Sequence, residues 1–254
     1  MRKSTIIWIF VALMGSACGS RQTAPAPIGD MTISMQQNEK GDSTLYGLAC
    51  DGCTDSVLVL LPYNGYDLDT LDIITARQEH HIYGRPHIGD ELAVTVNPED
   101  SAEALKVINL TTLCQNWCYQ VMPTFRNVDQ MPQRMQRRMM ERIPDSIRQK
   151  LLVPLEYSLR LKKGFTAQAR GARRMMTTTD DMSPVEYPQM KRYTEWRIFN
   201  GQLVLTATTA TVAADKDSLV QQKDERDTVD IVLLNSDTLV LRFKDHELGL
   251  YNKQ

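Results

Sequence analysis

Tyr193-Thr194-Glu195-Trp196-Arg197-Ile198-Phe199-Asn200-Gly201-Gln202-Leu203-Val204-Leu205-Thr206 decides the fold of this chain. Trp196 and Ile198 fall on one face of a period-two pattern, with Tyr193, Glu195, Arg197 and Phe199 on the other. Asn200-Gly201 supplies two residues that tolerate positive φ, which a tight hairpin turn requires. Leu203 to Thr206 then reads as the returning strand. Downstream, residues 228–234 and 238–243 flank the turn Asn235-Ser236-Asp237, and residues 248–251 add a last strand. Upstream, Tyr157, Leu159 and Leu161 alternate with Ser158, Arg160 and Lys162. Gly164 turns the chain into a weaker strand over 165–169. Residues 170–188 are polar and read as loop, and 207–227 reads as a long hairpin tip or loop.

Residues 111–123 open this half. Trp117, Tyr119 and Val121 share one strand face, and Cys118, Gln120 and Met122 take the other. Residues 131–151 give the helical pattern: Met131, Met135, Met139, Ile143, Ile147 and Leu151 recur every four residues and form one slanting apolar stripe. Arg134, Arg137, Arg138, Arg142 and Arg148 fill the remaining surface, and Pro144-Asp145 is expected to break the helix in two. Such a segment is either a lid packed on a barrel or a methionine-rich binding or membrane-surface helix.

The first half, residues 31–110, reads as a small all-β module. Short strands are expected near Ile33 and Met35, over 45–50, 57–61, 71–76, 81–83, 92–96 and 104–110. Asp51-Gly52, Asn64-Gly65 and Asn97-Pro98 supply turns between them. The continuous apolar run 57–61 predicts a strand buried on both faces. Short strands packed this closely fit a small barrel of OB or SH3-like type.

Besides Cys18, four cysteines fall in two pairs, Cys50/Cys53 and Cys114/Cys118. Structural disulfides or inert thiols, a four-thiolate metal site and thiol redox chemistry are the three readings. The redox reading lacks the helix that should follow the first pair, because Cys53 leads into a strand pattern. His80, His81 and His87 lie on turns near Cys50 and Cys53 but match no zinc spacing. No cofactor is expected. A phosphate loop, a nucleophile elbow, a zinc-protease helix and a dinucleotide fingerprint are all missing from the sequence. Asp180-Asp181 and Asp215/Asp217 read as solvated loop charge. The chain is therefore expected not to be an enzyme.

At the N-terminus, Arg2 and Lys3 precede nine apolar residues, Ile6 to Met14, too few to span a bilayer. Gly15-Ser16-Ala17 are cleavable small residues and Cys18 follows. The pattern resembles a bacterial lipoprotein signal over 1–17, which implies a mature chain acylated at Cys18. The same residues also suit an ordinary signal peptidase. Residues 18–30 read as a flexible tether. The formal net charge of −2 argues against a nucleic-acid binder. Residues 134–174 nevertheless carry twelve Lys or Arg against three Asp or Glu.

Residues 111–254 resemble the lipocalin-like, calycin-type domains of extracytoplasmic lipoproteins of Bacteroidetes. The resemblance rests on Trp117-Cys118-Tyr119, on Glu195-Trp196-Arg197-Ile198 through Asn200-Gly201, and on the final hairpin ending Leu239-Val240-Leu241-Arg242. Gln115 stands where such domains usually carry Gly. The resemblance implies an antiparallel barrel whose interior holds an apolar ligand. Trp117, Tyr119, Tyr193 and Trp196 are the nearest candidates for pocket residues. The expected protein is all-β dominated, an outer-membrane-anchored envelope lipoprotein facing the periplasm or the surface. Its partners would be the membrane, through the N-terminal lipid, and a small apolar or amphipathic ligand or an envelope protein. An interaction subunit with a filled barrel is the other reading.

Overall fold

The computed structural model describes residues 41–63, 65, 67–126, 131–171, 185–211 and 221–253. The expected signal, Cys18, the tether, the strand near Ile33 and Met35, and the loops at 172–184 and 212–220 lie outside the described residues.

In the first half, β1 (Thr44–Ala49), β2 (Val57–Pro62), β3 (Asp69–Asp72), β4 (Ile82–Tyr83), β5 (Glu91–Val96) and β6 (Ala104–Asn109) form one sheet. Its order is β3-β2-β1-β5-β6-β4, antiparallel except between β4 and β6. Asp72 also bridges Glu103 in parallel, so the sheet curls until β3 meets the start of β6. The strand expected over 71–76 stops at Asp72. The Asp72 carboxylate accepts the Ile74 N–H at 2.8 Å and helps to start the short helix α1 (Ile74–Gln78). In β2, Leu58 and Leu60 are buried while Val57, Val59 and Leu61 are only half covered. An unbroken apolar run thus covers one full face and one partial one.

Asn109 ends β6 and caps the helical turn α2 (Leu110–Leu113), accepting the Thr112 N–H at 3.0 Å. The second half then adds β7 (Asn116–Val121) and β8 (Thr124–Phe125), followed by helices α3 (Gln133–Arg142) and α4 (Asp145–Leu151). Next come β9 (Leu155–Leu161), β10 (Ala167–Arg170), β11 (Val185–Glu186), β12 (Tyr193–Phe199), β13 (Gln202–Thr211), β14 (Gln221–Leu234), β15 (Thr238–Arg242) and β16 (Glu247–Asn252). Eight of these strands form an antiparallel sheet in the order β10-β9-β7-β16-β15-β14-β13-β12. Its two edges meet where Thr166 bridges Glu195 and the Trp196 N–H donates to the Phe165 carbonyl at 2.9 Å. The result is a nearly closed barrel. β8 and β11 pair apart from it.

Two strand details depart from the sequence pattern. A bulge between Tyr193 and Glu195 inserts one residue into β12, so Tyr193 turns inward with Trp196 and Ile198 instead of outward. The expected loop over 207–227 is largely ladder, with β13 and β14 paired from Leu203↔Val229 to Thr211↔Gln221. Thr206, Thr208, Thr209 and Thr211 favour extended backbone even where no face is apolar.

The two sheets share one core. Tyr46, Tyr83, Ala93, Ile108, Leu110 and Leu113 from the first half pack in the same cluster as Trp117, Phe165, Trp196, Ile198 and Leu203. Tyr46 is the clearest link. Its hydroxyl donates to the Ile198 carbonyl at 2.9 Å, and its ring meets Phe165 edge-on at 5.9 Å. A smaller cluster around Leu58, Leu60, Leu92 and Val107 belongs to the first sheet alone. No described helix is long and apolar enough to cross a membrane.

Candidate functional site

The end of the barrel nearest the first sheet is filled. Trp117 is fully buried, with its Nε1 donating to the Leu113 carbonyl at 2.8 Å. Trp196 donates through Nε1 to the Lys162 carbonyl at 3.0 Å, and its ring lies 5.1 Å from Phe165. Phe165 has φ 59 and follows Gly164 at φ 78, so a left-handed turn folds its ring under the barrel. Of the four candidate pocket residues, Trp117 and Trp196 therefore serve as packing at this end. An indole whose N–H is satisfied by a backbone carbonyl makes a stable plug.

The opposite end is open. A cavity of about 440 Å³ lies there, lined by Tyr119 and Tyr193 among others. Leu159, Leu248 and Leu250 form its apolar floor, with Phe243 and Met190 at the side. These side chains reach the same space because residues of one parity on β7, β9 and β16 face the barrel axis. Tyr119 meets Tyr157 edge-on at 5.7 Å, and burial, with Tyr157 adding to it, pushes the Tyr119 hydroxyl up to about 12.

The rim is charged. Lys191, Arg226, Asp227, Lys244, Asp245 and His246 stand around the opening. The Asp227 carboxylate accepts from Lys191 Nζ at 2.8 Å on both oxygens and from the Tyr193 hydroxyl at 2.6 Å. Burial raises the Asp227 carboxyl, but the hydrogen bonds from Lys191 and Tyr193 outweigh it and hold the group below the usual carboxylate range. Burial raises the Tyr193 hydroxyl well above its ordinary value, and Asp227 adds to that shift. His246 stacks on Phe243 with ring centroids 4.9 Å apart, and its Nδ1 lies 2.8 Å from the Asp245 carboxylate. Residues 187–191 run along the mouth as a strap. The Tyr157 hydroxyl donates to the Pro188 carbonyl and the Tyr187 hydroxyl to the Val153 carbonyl, each at 2.6 Å.

Of the candidate pocket residues named from the sequence, Tyr119 and Tyr193 line this cavity, and the charged rim is not among them. Asp227 falls at the end of the 207–227 tip or loop and Lys191 between the 170–188 loop and the strand at Tyr193, and nothing local marks them as partners 36 residues apart. Leu248 and Leu250 carried a signal, since their alternation already placed them on one strand face.

Among the described residues the cysteines stand as four separate thiols. Cys50 and Cys53 flank the turn after β1, where Cys53 Sγ accepts the Val59 N–H at 3.4 Å. Cys114 packs beside the shared core, and burial pushes its thiol up to about 12, far from a reactive thiolate. Cys118 is buried on the outer side of β7, and burial raises it as well. His81 lies 3.2 Å from Glu79 and His87 lies 3.4 Å from Asp90. Among the described residues no three His, Cys, Asp or Glu side chains group as metal ligands would. Comparison of the chain with protein-family models, curated proteins and solved structures gave no match in any of the three.

Proposed function

We propose that this chain is a lipid-anchored protein of the cell envelope, without enzymatic activity, whose second half is a lipocalin-like barrel. It takes a small apolar or amphipathic ligand into the open end. The observation that carries the reading is the cavity of about 440 Å³, with an apolar floor of Leu159, Leu248 and Leu250 under a charged rim. A volume of that size and a lining of that kind suit a small-molecule site, where apolar walls supply affinity and a few polar groups fix orientation. The ligand's apolar part would lie against Tyr119 and Phe243, and its polar part would meet Lys191 and Lys244. We also read the first sheet as an OB-type barrel. Its support is the helix α1 after the third strand and the parallel Asp72–Glu103 bridge that partly closes it.

All described strands, helices and core residues lie within 41–253, so residues 31–254 retain the whole described fold. Native mass spectrometry of that chain, followed by titration with a fluorescent amphiphile, tests the reading. A lipid-sized adduct or saturable binding is expected, and Leu248→Trp, which fills the cavity, should abolish it. A clean mass with no binding would instead favour the interaction-subunit reading.

A further inference from the structure

The segment joining β7 to β9 leaves the barrel at its open end, since Val121↔Leu155 is the last pair of that ladder. It carries helices α3 and α4, and neither has a buried residue among those described. An ordinary surface helix hides one apolar stripe against the core. Here the stripe is only partly covered: Met135 is 59% exposed and Ile147 48%, with neighbouring Val153 at 50%, while Met131, Ile143 and Leu151 are half-buried. Phe125, Ile143, Ile147 and Leu151 line an apolar groove of about 460 Å³ with Arg142 at its edge.

The charge of this segment opposes that of the chain. Residues 131–154 hold six Lys or Arg against two Asp or Glu, an excess of four, on a chain of net −2. The side chains of Arg134, Arg137, Arg138, Arg142 and Lys150 make no hydrogen bond or ion pair with any described residue. The core of a protein–protein interface excludes charge from its apolar centre. Apolar side chains interleaved with arginines on short helices instead suit a phospholipid surface, where the apolar groups enter the headgroup boundary and the cations meet phosphates.

We propose that α3 and α4 form a docking surface for an anionic lipid bilayer, with Met135, Ile147 and Leu151 inserted and the four arginines of α3 on lipid phosphates. Docking there turns the open end of the barrel toward the bilayer. The proposal does not depend on a ligand in the cavity, because vesicle binding needs only this face.

The test is co-sedimentation of residues 31–254 with vesicles of phosphatidylcholine and phosphatidylglycerol in two-to-one ratio, beside vesicles of phosphatidylcholine alone. Binding is expected to the anionic vesicles only and to fall as salt is raised. Each arginine removed should weaken partitioning roughly fivefold, so joint Arg134→Gln, Arg137→Gln, Arg138→Gln and Arg142→Gln should cost several hundred-fold. Ile147→Ser with Met135→Ser should weaken binding while leaving its salt dependence in place. All six side chains are on the surface, and an unchanged thermal midpoint checks that the variants fold. Equal binding to both vesicle types, no binding to either, or wild-type binding by the arginine variant would overturn the proposal. So would a dimer in vesicle-free solution that the same substitutions dissolve, which would assign the face to a second copy. Failure here with amphiphile binding intact leaves the ligand reading standing, and the converse holds as well.

Discussion

Asp227 has its charge answered by the protein itself, through Lys191 on both oxygens and the Tyr193 hydroxyl on one. Tyr193→Phe removes a hydrogen bond to a charged acceptor and should destabilise the fold by about 1–2 kcal/mol in chemical denaturation. The Asp227 carboxyl is depressed in the folded state. Its contribution is therefore complete above the ordinary carboxylate value and is lost as pH falls through the depressed one. The stability gap between wild type and Asp227→Asn should accordingly be present at pH 7 and close as pH falls below the ordinary carboxylate range, measured by thermal midpoint. At this scale a sequence shows residue types and parity but not bulges. Tyr193 read as facing away from Trp196, and one inserted residue in β12 brings both inside. Trp117 and Trp196 have the composition of pocket residues. The sequence leaves them between core filler and pocket contact, and the carbonyls of Leu113 and Lys162 beneath their N–H groups mark them as the plug.

Among the elements, the β12–β13 hairpin was legible because Asn200-Gly201 is chemically distinctive. Both residues take positive φ, 47 and 73. What the dipeptide does not announce is that the turn lodges against the first sheet. A Cβ on Gly201 would lie 2.5 Å from Lys106 Cδ and 3.0 Å from Thr95 Oγ1. Gly201→Ala should therefore cost more than about 1 kcal/mol, from backbone strain with crowding added, in equilibrium unfolding. The outer part of the β13–β14 ladder lies within 207–227, which reads as a hairpin tip or loop because its small and charged residues give no apolar period. The closing strand β16 depends on a side-chain latch. Glu156 accepts from Lys253 Nζ and from the Tyr251 hydroxyl, each at 2.6 Å, and these hydrogen bonds hold its carboxyl below the usual range. Glu156→Gln should lower the thermal midpoint at neutral pH. As pH falls through the depressed carboxyl value the wild type loses the same contribution, so the two midpoints should converge.

At the scale of the molecule, the continuous core makes the two sheets one thermodynamic body. Tyr46 and Ile198 are 152 residues apart in sequence, and no local pattern could have paired them. Two β-rich halves were legible; their fusion was not. Scanning calorimetry should give one transition with equal calorimetric and van't Hoff enthalpies. Tyr46→Ala should destabilise both halves together, by about 3–5 kcal/mol. Two separate transitions would refute the shared core. The strand order carries a mechanical consequence. Among the described residues the first strand, β1, lies between β2 and β5, and the last, β16, lies between β15 and β7. Where the chain enters β1, the Asn200 side chain accepts the Ser43 N–H at 2.8 Å and donates to the Gly41 carbonyl at 3.0 Å. Tension applied at residue 41 thus passes straight into the barrel. Neither end can be peeled like an edge; each must tear from two neighbours at once. A molecule stretched between its ends should rupture in a single event at a force set by its unfolding rate, rather than unzip strand by strand.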